Sequence, residues 1–145
     1  MNFIEENNST RKKINDILKR ITNDEWQTEI GGGWTAGTML CHIAFWDKMT
    51  INRLLAWKQG GNLATVPEKE TIDAVNDSVR SMCSFIAFEK GVFLVSKYME
   101  EIDTFVSQLE ASQIKELEDS GRGRWFQRNL HRQLHLELLE RSTAR

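Results

Sequence analysis

Two histidines near the end of the chain, His131 and His135, are the residues whose type and spacing best suit chemistry. They lie in a segment whose pattern predicts a helix. Residues four apart in a helix are about 40° apart around the axis and roughly 6 Å along it, so both imidazoles project from one face. This spacing allows two histidines to ligate one metal ion.

A third histidine, His42, lies far upstream and is the remaining histidine of the chain. All three fall on predicted faces that otherwise bury apolar residues, such as Leu134 and Leu138, and a buried imidazole without hydrogen bonds costs roughly 1–3 kcal/mol. A divalent cation would account for all three, because imidazole ligates Zn, Ni, Fe or Cu and three protein ligands leave positions open for water or substrate. Two alternatives stay open: a core His42 bonded to a backbone carbonyl, and a solvent-facing pair at the end of the chain.

The length of 145 residues indicates a single domain, residues 1–145, that can fold without disulfides or a structural metal. The formal net charge of −2 argues against a general nucleic-acid-binding protein. The last 25 residues are locally basic, with six arginines against two glutamates, and are expected to attract anions. No run of 18 apolar residues and no signal-peptide pattern occurs, so a cytoplasmic protein that does not bind membranes is expected.

The two cysteines, Cys41 and Cys83, lie in helical patterns with apolar neighbours. They are expected to be small buried side chains and not a disulfide, since a reducing compartment keeps thiols free. Cys41 lies 100° from His42 around the predicted helix, so we do not expect it to be a metal ligand.

The hydrophobic pattern predicts an all-α chain folded as an antiparallel four-helix bundle. The predicted helices run from a cap at Ser9 or Thr10 to about Thr22, from a cap at Thr35 to about Gln59, from about Thr71 to about Ala111, and from about Arg124 to Arg141. Gly91 is expected to kink or split the third helix. The segments 23–33, 60–70 and 112–123 are predicted to be connections.

The second predicted helix is apolar almost all the way round from Met39 to Trp46, which indicates a helix buried on most sides. Thr35 suits its N-cap, and Trp34 stands at the position that can staple the chain onto the helix. In the third helix, Asn76 interrupts an apolar stripe and is predicted to face inward.

Four pieces of the sequence resemble the DinB-like proteins, also called the DinB/YfiT superfamily. They are Gly33-Trp34-Thr35, His42-Ile43-Ala44-Phe45-Trp46-Asp47, the inward Asn76, and His131-Arg132-Gln133-Leu134-His135-Leu136. The resemblance covers most of the chain, in the family's order and at its separations. It implies a four-helix bundle in which His42, His131 and His135 hold a divalent metal, commonly Ni or Zn, with Fe or Mn as further candidates. It also implies a homodimer.

Characterised relatives of this kind use a low-molecular-weight thiol, as mycothiol-dependent maleylpyruvate isomerase and bacillithiol transferases do. The resemblance therefore implies a metal-dependent thiol S-transferase or isomerase acting on a small-molecule substrate. A metal-dependent hydrolase needs the same ligands and is an alternative. A further alternative is a non-catalytic protein, serving as a metal-binding or dimeric scaffold in stress response.

Candidate substrate-pocket residues are Trp46, one turn after His42, together with Asn76 and Arg128. Arg128 and Arg132 flank the histidines and can bind carboxylates bidentately, although arginines are more often a solvated face. Asp47 lies about 140° from His42 around the helix and is not expected next to the metal. The sequence identifies no general base.

Overall fold

The computed structural model describes residues 2–144, whose regular secondary structure is helical apart from one short hairpin. The helices are α1 (Phe3–Arg20), α2 (Asn23–Gln27), α3 (Ala36–Lys58), α4 (Lys69–Cys83), α5 (Phe88–Ser107), α6 (Ala111–Asp119) and α7 (Arg128–Ser142). Strands β1 (Glu29–Gly31) and β2 (Trp34–Thr35) pair antiparallel, and a 3-10 turn over Gly123–Trp125 precedes α7. The predicted all-α class is confirmed.

The four long helices, α1, α3, α5 and α7, pack against one another. Contacts join α3 to α5, α5 to α1, α1 to α7 and α7 to α3, while α4 packs on the outside of α3. The antiparallel order of these helices and the single domain over residues 1–145 stay predictions. No helix within residues 2–144 has the length and apolar character needed to cross a membrane.

Helix α3 is the central helix, as its sequence predicts. Every residue from Ala36 to Ala44 is buried, because α3 is covered by α2, α4, α5 and α7. Its N-terminus has the predicted cap: the backbone N–H of Thr38 donates to the Thr35 hydroxyl at 3.0 Å, and the backbone N–H of Thr35 donates to the Thr38 hydroxyl at 2.8 Å. This reciprocal cap fixes the start of the helix that carries His42.

The predicted start of the first helix at Ser9 or Thr10 is wrong. Helix α1 begins at Phe3, with Asn2 as its N-cap accepting from the backbone N–H of Glu5 at 3.0 Å. Thr10 lies inside the helix, where its hydroxyl donates to the carbonyl of Asn7 at 3.0 Å. A threonine hydroxyl can cap a helix or donate to a carbonyl of the preceding turn. Thr10 is buried within α1 and does the second.

Two of the predicted connections contain helices. Segment 23–33 holds α2 and β1, because Thr22 and Glu25 cap each other reciprocally. Segment 112–123 holds most of α6, where the side chains of Glu110 and Gln113 form the same arrangement. Helix α7 begins at Arg128, four residues after the predicted start at Arg124, because the 3-10 turn intervenes.

The third predicted helix is split, but not at Gly91. The break lies between Cys83 and Phe88, so Gly91 falls in the first turn of α5. Gly91 and Gly37 of α3 both contact the indole ring of Trp26, at positions where a Cβ atom would collide with that ring. Gly91 therefore admits a tryptophan between two helices and does not end one.

Candidate metal centre

The three histidines meet at one point between α3 and α7. The Nε2 atoms of His42 and His131 are 3.1 Å apart, and the three ring centroids are 5.0–5.1 Å from one another. One nitrogen from each ring lies within 4.8 Å of the other two. Two ligands of one ion, each about 2.1 Å from it at a tetrahedral or octahedral angle, lie about 3.0–3.4 Å apart. The arrangement of the three side chains can thus hold a metal ion.

All three imidazoles are neutral at neutral pH. Burial lowers the pKa of His42 to about 4, with a smaller effect from His135. Burial, followed by the charge of Arg128, holds the pKa of His131 well below its ordinary value, and burial lowers that of His135. Neutral rings leave a nitrogen lone pair available to a cation, so no proton has to be displaced first.

The protein uses only part of the hydrogen-bonding capacity of the cluster. Within residues 2–144, the Nδ1 atoms of His42 and His131 are buried and have no hydrogen-bond partner. A neutral imidazole carries one N–H donor and one acceptor, and each buried group left unpaired costs about 1–3 kcal/mol. The Nε2 atoms of His42 and His131 face each other, and two neutral rings with the proton on Nδ1 would direct both Nε2 lone pairs at the same point. Three neutral imidazoles that converge in this way are a donor set that fits a divalent metal.

The hairpin and α3 position His42. The ring of Trp34, the first residue of β2, packs edge-on against the imidazole of His42, with 5.2 Å between centroids. On its other side Trp34 lies beneath the guanidinium of Arg80, 5.4 Å from the ring centre, and Arg80 donates to the carbonyl of Gly32 at 3.0 Å. The predicted staple residue therefore also supports a histidine of the cluster.

Buried ion pairs position α7 and its two histidines. Arg132 is fully buried and donates to both carboxylate oxygens of Asp103 in α5, at 2.9 and 2.8 Å. Arg128 is buried too, and its Nε donates to Asp47 of α3 at 2.9 Å. The prediction of a solvated arginine face is wrong at both positions, because each arginine has a carboxylate partner far away in the sequence.

Helix α1 contributes Asn7, which sequence reasoning did not single out. Its side-chain carbonyl accepts from the backbone N–H of Asn129 at 2.8 Å, and its amide donates to the carbonyl of Phe126 at 2.8 Å. It thereby satisfies a free N–H in the first turn of α7. A single buried asparagine in a helix gives no sequence signal of such a role.

A cavity of about 350 Å³ adjoins the histidine cluster. The three candidate pocket residues, Trp46, Asn76 and Arg128, all line it, and the indole Nε1 of Trp46 donates to the Oδ1 of Asn76 at 2.8 Å. That a substrate binds there stays a prediction. Leu134, expected on a buried face, is 65% exposed and lies at the cavity's edge.

Five more residues of the cavity were not anticipated as pocket residues: Thr50, Arg53, Ile72, Arg124 and Trp125. Arg53 follows Trp46 by seven residues, two helical turns, so the helical period from His42 through Trp46 would have indicated it. Trp125 and Arg124 belong to the 3-10 turn, which no periodic pattern reveals. Asp47 is absent from the cavity lining, as expected, since it bonds to Arg128.

The two cysteines are free thiols and buried, as predicted. They line a separate apolar cavity of about 350 Å³ between α3, α4 and α5, and neither belongs to the histidine cluster. A hydrogen bond with Cys83, together with burial, raises the pKa of the Cys41 thiol, and the same bond lowers that of Cys83. They are therefore not candidates for a fourth metal ligand.

The long helices pack together, and a histidine cluster lies between the second of them, α3, and the last, α7. This fold and this site define a class of helical proteins that can hold a metal ion. The chain belongs to the DinB superfamily, whose family model matches residues 7–136. The comparison with curated proteins gave no match, and neither did the comparison with solved structures.

Proposed function

We propose that the chain binds one divalent metal ion through His42, His131 and His135, with Ni or Zn as first candidates and Fe or Mn next. The convergence of one nitrogen from each of three neutral imidazoles supports this proposal. Such an ion supplies Lewis acidity that lowers the pKa of a thiol or water placed beside it. His42, His131 and His135 all line the cavity, so they would hold the ion beside the space that a small molecule can enter.

We further propose that the protein is a thiol S-transferase or isomerase acting on a small-molecule substrate. The observation that carries this is the absence of any carboxylate among the cavity-lining side chains of the described region, residues 2–144. A low-molecular-weight thiol has an ordinary pKa of about 8.5 and loses its proton with little help, whereas water starts at about 15.7. A cavity without a general base therefore favours a thiol over the hydrolase alternative.

In the proposed transfer, the thiolate sulfur attacks an electrophilic carbon of the substrate. The C–S bond forms as the bond to the leaving group breaks, the leaving group departs with the electron pair, and the thiol proton passes to solvent. Trp46 provides one wall of the cavity, held in place by its hydrogen bond to Asn76. The Nδ2 donor of Asn76 has no partner within residues 2–144 and is available to orient a substrate.

We also propose that the protein forms a homodimer. The alternative to an enzyme is a non-catalytic protein that serves as a metal-binding or dimeric scaffold in stress response. Three exposed apolar side chains support an interface, namely Met82 of α4, Phe85 in the turn after it and Phe93 of α5. We propose the cytoplasm as the location, since a thiol reaction and the free thiols Cys41 and Cys83 suit a reducing compartment.

The metal is tested by elemental analysis of protein purified without a histidine tag. Near-stoichiometric Ni, Zn, Fe or Mn is expected in the wild type and in Gln133→Ala, an exposed position of α7, but not in His131→Ala. A wild-type protein that is empty and refuses added metal would contradict the metal site.

The activity is tested separately, with an electrophilic haloaromatic compound and a panel of low-molecular-weight thiols. Release of halide together with thioether formation is expected from the wild type and from Gln133→Ala, and its loss from His131→Ala. Full metal occupancy without turnover of any thiol would favour the scaffold. Turnover of esters without added thiol would favour the hydrolase.

A further inference from the structure

Arg53 is a half-buried cation of the cavity that no protein group neutralises. Its guanidinium lies 5.8 Å from the ring centre of Trp46 and 5.5 Å from that of Trp125. Within residues 2–144 it forms no ion pair and donates no side-chain hydrogen bond. A guanidinium held against aromatic faces keeps its in-plane N–H donors free, so Arg53 has its full capacity left for a ligand.

Two other arginines stacked on tryptophans provide an internal comparison. Arg80, over Trp34, donates to the carbonyl of Gly32 and lies 3.6 Å from the carboxylate of Asp77. Arg122, over Trp125, donates to the carbonyls of Ala64 and Ser120. Both use their donors to fix the backbone of loops. Arg53 makes the same kind of stack without such a bond, so a purely structural role does not account for its donors.

Arg128 brings a second positive charge to the same cavity. Its Nε donates to Asp47 and its Nη1 donates to the carbonyl of Arg124, each at 2.9 Å, while its Nη2 has no partner within residues 2–144. Burial and the charge of Arg128 lower the pKa of Arg53, which reflects two cations close to each other. With no carboxylate among the described lining residues, an anion entering the cavity would relieve this repulsion.

We propose that the cavity binds an anionic group of its ligand, a carboxylate or a phosphate, through the guanidinium of Arg53 and the free Nη2 of Arg128. The planar guanidinium matches both groups, because each offers two oxygens to paired N–H donors. The inference deepens the proposed function and rests on it only for the position of the ligand's reacting end, at the histidine cluster. Arg53 is then the residue that selects anionic substrates.

The test is a titration of metal-free protein near neutral pH, where the histidines are uncharged. The probes are succinate, inorganic phosphate and the neutral succinamide. Binding is followed by the NMR signals of the indole N–H groups of Trp46 and Trp125. Succinate or phosphate should shift both signals and succinamide neither; succinate alone would indicate a carboxylate site, phosphate alone a phosphate site.

Three variants separate a specific site from general charge. Arg53→Gln should weaken anion binding about tenfold or more, and Arg53→Lys should weaken it less, because the charge remains while the paired donors are lost. Arg141→Gln is the matched control: it removes one charge from an exposed pair with Glu137 and should bind as the wild type does. Circular dichroism checks that each variant is folded. If Arg53→Gln is unfolded, the comparison of wild type with Arg53→Lys still tests the inference.

Equal affinity in wild type and both Arg53 variants would overturn the inference, and so would equal shifts with succinamide or no shift with either anion. The titration is repeated after addition of Zn. Anion binding that depends on Arg53 while the protein takes up no metal would contradict the proposed function alone. Binding that requires Zn and is unchanged in both Arg53 variants would contradict the anion site alone.

Discussion

The guanidinium of Arg132 and the carboxylate of Asp103 form a buried bidentate pair, with donor–acceptor distances of 2.9 and 2.8 Å. Arg132 directly follows His131, so the pair fixes the rotation of α7 against α5 and thereby the direction of that imidazole. Burial raises the pKa of Asp103 although Arg132 opposes the change. The carboxylates of Asp47 and Asp103 in turn raise the pKa of Arg132 against the effect of its burial. Because the cost of burying two charges offsets much of their attraction, we assign the pair to positioning more than to net stability.

Replacing one member of this pair should be costly, because the other is left buried. Asp103→Ala is expected to lower the free energy of unfolding by about 3–5 kcal/mol. Asp16→Ala, which removes the partner of Lys12 in an exposed pair, should cost less than about 1 kcal/mol. Urea denaturation measures both. Similar losses in the two variants would contradict a structural role for the buried pair.

The stability of the metal-free protein should fall with acidification through the histidine cluster. His42 has a pKa of about 4 when folded, against an ordinary value of 6.5. Between these values the unfolded chain binds a proton that the folded chain does not. The free energy of unfolding is therefore highest above the ordinary pKa and decreases as the pH falls toward the folded pKa. For His42 alone the decrease is roughly 3 kcal/mol. The lowered pKa values of His131 and His135 act in the same direction.

Urea denaturation at a series of pH values checks this dependence, with His42→Gln as the comparison because it cannot titrate. The difference in unfolding free energy between wild type and variant should shrink or reverse as the pH falls. A constant difference across the range would show that His42 does not carry the effect.

The sequence predicts the long elements and the histidines well, for physical reasons. Helix α3 is apolar on nearly all sides and begins at a threonine cap, so its burial and its start can both be predicted from neighbouring residues in the sequence. The spacing of His131 and His135 is also local. Their meeting with His42 was predicted from the shortage of other histidines and from the family resemblance, and the geometry agrees.

The rest depends on partners that are distant in sequence or on short reciprocal contacts. Arg128 and Arg132 are indistinguishable from surface arginines until Asp47 and Asp103 are brought beside them, 81 and 29 residues away. Helices α2 and α6 are too short for a periodic pattern, and reciprocal caps define them instead. Gly91 lies within a helix and does not break it. It makes room for the indole of Trp26 from α2, a contact that the sequence around Gly91 does not reveal.

The proposed homodimer predicts a change of mass on altering the exposed apolar side chains. The side chains of Phe85, Met82 and Phe93 are 91%, 72% and 63% exposed. Large apolar side chains that are exposed to this degree are typical of protein–protein interfaces. Phe85→Ser combined with Phe93→Ser should convert the dimer to a monomer in sedimentation velocity. Leu134→Ser, 65% exposed but on α7, is the control and should leave the dimer intact. A monomeric wild type, or equal dissociation in the control, would contradict this interface.

The contact of Gly91 with Trp26 makes a prediction opposite to helix propensity. Alanine is preferred over glycine within a helix by about 1 kcal/mol, so Gly91→Ala would stabilise α5 if the site were open. Its Cβ would instead collide with the indole of Trp26, and a net loss of about 1–3 kcal/mol in unfolding free energy is expected. Trp26→Leu makes room, so its cost should be smaller in the Gly91→Ala background than in the wild type. Additive costs in this double-mutant cycle, measured by urea denaturation, would show that the two residues do not compete for the same space.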